Sequence, residues 1–371
     1  MKFITDRTSF LNGVNIVSKA IPSSTTMDIL KYIKISADNG IIKLLANDMD
    51  LAIETIIDGE VIEKGEVALE ANKLNVVLRS LPDNELEIET NSKKEIVINY
   101  DKVRNSNSYI GYLETDEFPE LPSYEKDDPV IISQFSLKEL IRTTIFSTAD
   151  NESNKIMTGE LFEITGNELK VVALDGHRIS IRNITLKDSY DSLKVIVPGK
   201  TLNEISKILS GEADEMVNIF FTNNHILFEF DDTKVVSRLI DGEFFKIDQM
   251  LSKDYETKII INKKEFLDCI DRSMLLVKEG DKKPIIVNIT DGSLEIKINS
   301  TFGSMNEDID ITKEGKDIMI GFNGRFLMDA LRVIDDEQIS IYLMNSKAPC
   351  FIRDDKNEYI YLILPVNFNN Y

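Results

Sequence analysis

Few residues in this sequence could carry out chemistry. The 371 residues include two histidines, His177 and His225, which lie in different strand-like contexts. No Gly-rich phosphate loop, no G-x-S-x-G and no Cys/His metal cluster occurs. Asp48 and Asp50 come closest to the clustered carboxylates of a two-metal phosphoryl-transfer site, but their segment recurs around Asp175, which favours a structural turn. The sequence therefore predicts no catalytic site, no cofactor and no metal.

The most specific short string is Ala-Leu-Asp-Gly-His-Arg-Ile at 173–179. Asp-Gly permits a tight turn, after which His177 and Arg178 present two polar side chains beside Ile179. A plain turn is the ordinary interpretation. The chain also ends in an apolar strand that Pro365 breaks, which leaves apolar side chains near the terminus. Such patches mark interaction sites, so we expect a binding surface.

Three parts of the chain, about one third of its length apart, share one pattern. Three sets of residues, apolar except for Thr144, share one helical spacing: Phe10, Leu11 and Val14; Leu140, Ile141 and Thr144; and Phe266, Leu267 and Ile270. A second helical set recurs with a similar period, at Leu74, Leu202 and Leu327. Ala46-Asn47-Asp48 recurs one such period later as Ala173-Leu174-Asp175. A period this long indicates three repeated domains, which we place at 1–124, 125–253 and 254–371.

Helical periodicity predicts two helices in each repeat. They fall at 6–19, 71–81, 136–148, 198–209, 262–275 and 323–334. The text between them mostly alternates apolar with polar residues, as half-buried antiparallel strands do. The predicted class is α+β, with two helices packed on antiparallel sheets in each repeat.

Charge is distributed unevenly along the chain. The net charge of −21 by itself argues against nucleic-acid binding. The six predicted helices nevertheless sum to +6, so the rest of the chain carries −27. Solvated helix faces commonly hold Lys and Arg, but that does not explain why the acidic residues are displaced into strands and loops. An acidic body with basic helices suggests that one face accepts a polyanion.

Composition also bears on location. No apolar run approaches the ~20 residues that a membrane-spanning helix needs, and the first residues lack the apolar core of a signal peptide. Cys269 and Cys350 have no metal-type or redox-type spacing, which favours free buried thiols in a reducing compartment. We expect a cytoplasmic protein.

Together with these features, the sequence resembles the bacterial replicative sliding clamps, the β subunits of DNA polymerase III. The resemblance covers the whole chain. It rests on Met1-Lys2-Phe3, Val17-Ser18-Lys19 followed by Ile29-Leu30, Thr158-Gly159 with Leu161-Phe162, Asp175-Gly176-His177-Arg178, Leu239-Ile240-Asp241-Gly242-Glu243-Phe244, and the closing Tyr-Leu-Ile-Leu-Pro-Val at 361–366. The resemblance implies a ring-shaped head-to-tail homodimer in the DNA-clamp fold, closed around double-stranded DNA without sequence preference. It implies no catalysis and no membrane contact.

The resemblance also implies a groove that receives short peptides from the replicative polymerase, the clamp loader and repair proteins. Such peptides carry a Gln followed by Leu and then a Leu-Phe pair. By position, the groove residues are Met157, Leu174, Gly176, His177, Arg178, Ile179, Phe245, Met250, Pro349, Leu362, Leu364, Pro365 and Val366. Arg178 and the His177 region are expected to hold the peptide's backbone and its polar end.

Two further sets complete the expectation. The DNA-facing residues are Arg7, Lys19, Ser24, Lys73, Arg79, Lys138, Arg142, Asn151, Lys155, Lys200, Lys207, Lys264, Arg272, Arg325 and Arg332. The candidate dimer-interface residues are Tyr109, Ile110, Leu275 and Leu276.

Two other functions remain open on the residues alone. One is a cytosolic hydrolase that uses Asp175 and His177 with a metal, although one His and scattered carboxylates give no closed ligand set. The other is an oligomeric scaffold that does not bind DNA. Retention on circular against linear DNA at low salt would separate the clamp from both.

Overall fold

The computed structural model describes residues 1–122, 128–150, 154–278 and 283–368. The chain divides into two compact units, one made of residues 1–135 and 207–239, the other of residues 136–206 and 240–371. The division cuts through the middle repeat, so the compact units do not coincide with the three predicted domains. The domain bounds stay a prediction.

The helices occur where the periodicity predicted them. Within the described residues they are α1 Arg7–Val17, α2 Ala71–Ser80, α3 Gln134–Thr144, α4 Gly199–Ile208, α5 Lys263–Met274 and α6 Gly324–Val333. The starts of α2, α4 and α6 are separated by the same steps as the predicted set of leucines. The sequence separation between the starts of α1 and α3 is almost one helical turn shorter than the spacing of the apolar residues predicted. Short 3-10 helices, Ser18–Ala20 and Ile145–Ser147, follow α1 and α3 and account for the longer predicted spans.

Polar residues set the start of several helices. Asp6 Oδ2 accepts hydrogen bonds from the backbone N–H groups of Thr8 at 2.9 Å and Ser9 at 3.2 Å. Asn262 and Asn323 play the same part before α5 and α6. These side chains satisfy backbone donors that have no partner within the helix, which fixes where each helix begins.

The first unit holds two antiparallel sheets. Its strands are β1 Lys2–Asp6, β2 Tyr32–Asp38, β3 Ile41–Asn47, β4 Leu51–Ile57, β5 Glu60–Glu63, β6 Gly65–Glu70, β7 Glu85–Thr90, β8 Glu95–Asp101, β9 Ser106–Gly111, β10 Val130–Ser133, β13 Met216–Phe221, β14 His225–Phe230 and β15 Thr233–Arg238. One sheet has the order β5-β1-β7-β8-β9, and the other β10-β13-β14-β15-β4-β3-β2-β6.

The second unit holds one sheet of ten strands. They are β11 Gly159–Leu174, β12 Arg178–Pro198, β16 Thr257–Asn262, β17 Ile285–Thr290, β18 Ser293–Ser300, β19 Gly303–Gly315, β20 Ile318–Phe322, β21 Gln338–Leu343, β22 Cys350–Arg353 and β23 Tyr359–Ile363. Their order is β11-β12-β23-β22-β21-β16-β19-β18-β17-β20.

The same antiparallel strand pair joins successive repeats. Strand β15 pairs with β4, with Val235 opposite Ile53, and β23 pairs with β12, with Tyr361 opposite Ser180. Tyr361 follows Val235 by one repeat, as Ser180 follows Ile53, so the two ladders have equivalent registers. Strand β15 of the middle repeat is thus joined to the first repeat, whereas β12 of the middle repeat is joined to the third. The sheets therefore divide the chain into two units rather than three.

The helices pack directly on these sheets. A Cβ at Gly13 in α1 would lie 2.5 Å from Ile57 Cγ2 and 2.8 Å from Leu44 Cδ1, so the glycine permits close approach to β3 and β4. Phe10 and Phe266 are buried beneath α1 and α5. The helices therefore present one face to the sheet and leave the other to solvent.

Both cysteines are buried and free. Burial raises the pKa of the Cys269 and Cys350 thiols to about 12, so neither forms a reactive thiolate at neutral pH. Across the part of the chain that the structure describes, no helix combines the length and apolar character needed to cross a bilayer.

Candidate peptide groove and basic helix faces

Asp175 closes the turn that follows β11. Its Oδ1 accepts hydrogen bonds from the backbone N–H groups of His177 at 2.9 Å and Arg178 at 3.1 Å. Gly176 has a φ of +88°, which suits a residue without a Cβ. The predicted Asp-Gly turn is confirmed. It leaves Gly176 and the His177 side chain exposed at the surface of the second unit.

Arg178 is held from several sides within that unit. Its Nε lies 2.9 Å from Asp175 Oδ2, its Nη1 lies 2.6 Å from Asp329 Oδ2, and its Nη2 donates to the carbonyl of Phe146. The guanidinium also lies 4.5 Å from the centre of the Phe326 ring. The side chain is only 11% exposed. We expected Arg178 to hold a bound peptide, but each of its three nitrogens already has a partner, so we propose that it positions the turn.

An apolar cluster lies beside this turn. Leu174, Ile179 and Leu362 are buried, and Met157 and Phe245 pack at the partly buried edge of the same cluster. They come from β11, β12, β23, the 3-10 helix Lys155–Thr158 and the segment after β15. Five of the predicted groove residues are thus brought together from distant parts of the sequence.

Sequence reasoning missed other members of this cluster. Ile247, Tyr342 and Phe351 are buried in it, and Phe244 packs against it. The signal for Phe244 was present, because Phe118 occupies the corresponding position one repeat earlier. Tyr342 and Phe351 lie on strands of the third repeat that strand periodicity alone does not orient towards this cluster.

The segment after β23 is tied down at two points. The backbone N–H of Leu364 donates to the His177 carbonyl at 2.9 Å, and that of Val366 donates to the Gly321 carbonyl at 2.8 Å. A Cβ at Gly321 would lie 2.6 Å from Val366 O and 2.8 Å from Phe368 Cδ1, so this segment packs closely on β20. The predicted groove residues Leu364 and Val366 are therefore held in place beside the turn.

Three predicted groove residues lie at its margins. Pro349, just before β22, and Pro365 are half-buried. Met250 ends the 3-10 helix Ile247–Met250 and is exposed. It does not belong to the buried cluster.

Three of the predicted DNA-facing arginines are engaged in their own units. Arg7 donates to the carbonyls of Leu78 at 3.0 Å and Arg79 at 3.3 Å, at the end of α2. Arg142 binds Glu139 through two nitrogens and lies 2.9 Å from Asp335. Neighbouring Glu139 holds the pKa of Arg142 above its ordinary value.

Arg272 is the third, because it pairs with Glu307 on β19. These three side chains stabilise helix positions, and a DNA backbone would have to compete with their present partners.

The remaining predicted DNA-facing side chains are more open. Ser24, Lys73, Arg79, Lys155, Lys200, Lys207, Lys264, Arg325 and Arg332 are exposed, and Lys19 and Lys138 are half-buried. Lys264 lies 2.8 Å from Asp268, and Arg332 lies 3.5 Å from Asp271. Exposed pairs of this kind contribute little to stability, so phosphate groups could replace the carboxylates. Asn151 lies outside the described residues.

Comparison with known proteins decides the family. Models of the DNA polymerase III beta subunit match most of the chain: its N-terminal domain at residues 1–122, its central domain at 131–246 and its C-terminal domain at 248–367. The chain belongs to this family.

Relatives and solved structures agree. The beta sliding clamp of Halalkalibacterium halodurans is 34% identical, and that of Staphylococcus epidermidis 32%, each over 99% of both chains. The crystal structure of a putative DNA polymerase III beta subunit from Eubacterium rectale is 61% identical over 100% of both chains, with a TM-score of 0.96. The sliding clamp of Bacillus subtilis is 31% identical over 99% of both chains, with a TM-score of 0.94.

These matches confirm the clamp fold that the sequence predicted, with two helices on antiparallel sheets in each repeat. The family consists of the non-catalytic sliding-clamp subunit, which confirms the prediction that the chain is not itself an enzyme.

The hydrolase alternative finds no support in the turn. The Asp175 carboxylate is occupied by the His177 and Arg178 N–H groups and the Arg178 side chain. The His177 ring lies 6.0 Å from the Phe326 ring. Among the described residues, no group of three or more His, Cys, Asp or Glu could hold a metal ion.

The four candidate interface residues do not share one environment. Tyr109 is 60% exposed on β9 and Leu275 is 80% exposed after α5. Leu276 is half-buried, and its Cδ2 would lie 3.9 Å from a Cβ at Gly303, where β19 begins. Ile110 is buried in the first unit. Ile110 therefore supports the fold of the first repeat, whereas Tyr109 and Leu275 are free to contact another molecule.

Proposed function

We propose that this protein is a cytoplasmic sliding clamp. Two copies close a ring around double-stranded DNA and tether the replicative polymerase, the clamp loader and repair proteins through short peptides. Family membership along the whole chain supports this function. The observation that supports a ring is a pair of open strand edges. These edges could pair with each other as the strands that join successive repeats do.

The first open edge is β9, which is the last strand of its sheet and pairs with β8. The second is the beginning of β19, which pairs with β18 as far as Asp310 and with β16 only from Ile311. No second partner strand for either edge occurs in the described ranges. An unpaired row of backbone N–H and C=O groups is a template for another strand.

The repeat predicts the register of this pairing. The ladder places Val235 opposite Ile53, and one repeat later Tyr361 opposite Ser180. Met305 follows Ser180 by one further step of similar length, and Tyr109 precedes Val235 by one such step. In a closed ring the same ladder therefore places Tyr109 of one copy opposite Met305 of the other. The two edges lie in the first and third repeats, so the contact joins unlike ends. Two three-domain chains then close a circle of six domains.

Binding to DNA in such a ring is topological. The helices observed in the structure carry a net charge of +6 on a chain of −21, so their contacts with phosphates are dispersed and weak. The acidic remainder of the chain repels DNA elsewhere. The ring therefore stays on DNA because its path is closed, while the helix faces permit sliding.

The apolar cluster beside the Asp175 turn would receive the partner peptides. Leu174, Ile179 and Leu362 offer a buried floor, and exposed Leu364 and Met250 offer side chains that a peptide would cover. Burial of apolar surface contributes about 25 cal/mol per Å² before ordering costs. A few apolar side chains therefore support affinities on the order of micromolar.

Loading on circular DNA tests the function. The clamp would be placed on nicked circular DNA by its clamp loader and passed through a sizing column in about 1 M salt, where charge interactions are screened within about 3 Å. We expect the clamp to remain on the circle and to leave once the DNA is cut to a linear form. Equal loss from circular and linear DNA would exclude topological binding.

A further inference from the structure

A cavity of about 200 Å³ opens in the first unit, between the turn that follows β3 and the segment 119–122. Leu51, Pro119, Pro122 and Val236 provide apolar walls. This volume is smaller than the roughly 300–1,000 Å³ of pockets for drug-sized ligands. It suits one side chain of a bound segment rather than a whole small molecule.

The turn at this cavity repeats the turn at the peptide groove. Asp48 Oδ1 accepts hydrogen bonds from the backbone N–H groups of Asp50 at 3.1 Å and Leu51 at 2.7 Å. Asp175 does the same, one repeat later, for the two residues that follow Gly176. The two turns therefore have the same hydrogen-bonding pattern, which fixes the backbone of each turn.

The strand beside the turn is repeated as well. The backbone N–H of Arg238 donates to the Asp50 carbonyl at 2.8 Å, as that of Leu364 donates to the His177 carbonyl at 2.9 Å. Val236, which lines the cavity, precedes Arg238 by two positions, as Leu362 precedes Leu364. The cavity therefore stands in the first unit where the groove stands in the second.

One residue breaks the parallel in an informative way. Met49 has a φ of +79°, in the left-handed region, where the later turn has Gly176 with a φ of +88°. A side chain at such a φ strains the backbone. The Met49 side chain is nevertheless 59% exposed, so burial in the fold offsets little of that strain. Exposed methionines present a flexible apolar surface suited to partners of varied shape.

The charges around the cavity are mainly negative. Asp50 and Glu120 line it, and among the residues that the structure describes no Lys or Arg does. Lys34 pairs with Glu120 at 3.5 Å and with Glu66 at 3.1 Å, and Arg238 lies opposite His225 on the neighbouring strand. Burial, and then the charge of Arg238, lowers the pKa of His225, which leaves its imidazole neutral at pH 7. This rim complements a cation.

We propose that this cavity is a second peptide site, which binds an extended segment of a partner protein with one apolar side chain flanked by Lys or Arg. The apolar side chain enters between Leu51 and Val236 and is covered by Met49, while the cation lies beside Asp50 and Glu120. The proposal rests on the proposed function, because it interprets the cavity as a repeat of the peptide groove. The two sites differ in charge, so they select different segments.

A labelled peptide array tests the site on the full-length protein. Each peptide has one Leu, Met or Phe in a Gly-Ser frame, flanked by Lys, Arg, Ser or Glu, and fluorescence anisotropy gives its Kd. We expect the Lys and Arg peptides to bind best. Met49→Gly should weaken them at least about 5-fold and Asp50→Lys at least about 10-fold. Met49→Gly should leave Tm unchanged or raise it, because glycine accepts the φ at this position without strain.

A peptide with the Gln-Leu and Leu-Phe pattern is the control for the other groove. Its affinity should be unchanged in both variants, because neither residue lies in the second unit. Binding of the basic peptides that survives Met49→Gly and Asp50→Lys but is lost on Leu364→Ser would place them in the second unit and overturn the inference, leaving the clamp function intact. Absence of binding throughout the array, or a change in oligomeric mass in Met49→Gly, would also overturn it.

Discussion

Arg178 Nη1 lies 2.6 Å from Asp329 Oδ2, which ties the turn after β11 to helix α6. The two residues are 151 positions apart and belong to the middle and third repeats. The side chain of Arg178 is largely buried, so its charge is poorly solvated and depends on its partners. This contact holds the turn of the proposed peptide groove against helix α6 of the same unit.

Replacing Arg178 tests this positioning role. We expect Arg178→Ala to destabilise the protein by about 3–5 kcal/mol, because two carboxylates lose a buried partner. Arg178→Lys should recover only part of this, since an ammonium cannot match a three-sided guanidinium. Urea unfolding measures both effects. If Arg178→Lys left stability intact but abolished peptide binding, the residue would contact the peptide and our assignment would be wrong.

Glu160 predicts an unusual pH dependence of stability. It is fully buried on β11, neither oxygen has a hydrogen bond of ordinary geometry, and burial raises its pKa to about 8. Its pKa in the unfolded chain is about 4.5. Because the folded state holds the proton more tightly, the contribution of Glu160 is fully present below about pH 4.5. It is lost as the pH rises to about 8, by at most about 1.4 kcal/mol per pH unit.

Glu160→Gln should remove this slope, so its advantage over the native protein grows between pH 5 and pH 8. Glu160→Ile should stabilise at every pH, because the equivalent position in the first repeat is the buried Ile33. Glu163→Gln is the matched control on the same strand, where Lys194 pairs with the carboxylate. Denaturant unfolding at several pH values measures all three. A native slope that persists in Glu160→Gln would show that another group titrates.

The proposed ring contact predicts different outcomes for neighbouring residues. Tyr109→Asp combined with Leu275→Asp should yield folded monomers, because Tyr109 is exposed on the open edge of β9 and Leu275 is exposed next to Leu276, which lies near the start of β19. Ile110→Asp should instead unfold the first repeat, since it places a charge in the core. Light scattering and circular dichroism distinguish the two. A double variant that remained dimeric would contradict the proposed edge pairing.

The segment after β23 predicts a separation of binding from stability. Leu364→Ser removes a side chain that is 38% exposed but keeps the backbone bond to His177. We expect about 10-fold weaker binding of the Gln-Leu, Leu-Phe peptide with little change in Tm. Removal of residues 364–371 should abolish binding and also lower Tm, because the contacts of Val366 and Phe368 with Gly321 are lost. Unchanged affinity in both variants would show that the groove lies elsewhere.

The regular parts of this fold follow closely from the sequence. The positions of Leu74, Leu202 and Leu327 predicted the steps between α2, α4 and α6, because a buried face repeats about every 3.6 residues. The predicted step between α1 and α3 was too long by almost one helical turn. Leu140 was aligned with Phe10, although the equivalent buried position in α3 is Leu137. One helical turn leaves the apolar pattern almost unchanged, so periodicity alone cannot exclude such a shift.

The candidate site was only partly predictable. Leu174, Ile179 and Leu362 could be placed because the family resemblance fixes their positions, and the cluster unites them. The partners of Arg178 could not, since Asp329 and the Phe146 carbonyl are distant in sequence and reach it only through the fold. Ile110 and Tyr109 are adjacent and both apolar in character, yet the pleat of β9 turns one inward and the other outward. Only the strand's position in its sheet decides which is which.

The ladder between β4 and β15 has a consequence for a severed chain. Its five registered pairs join the first repeat to the middle repeat independently of the covalent connection. A backbone cut between residues 122 and 128 would therefore produce two fragments that still share one continuous sheet. Val235 of one fragment would pair with Ile53 of the other, as in the intact chain. Coexpressed as separate polypeptides, residues 1–122 and 128–371 should reassemble by strand complementation.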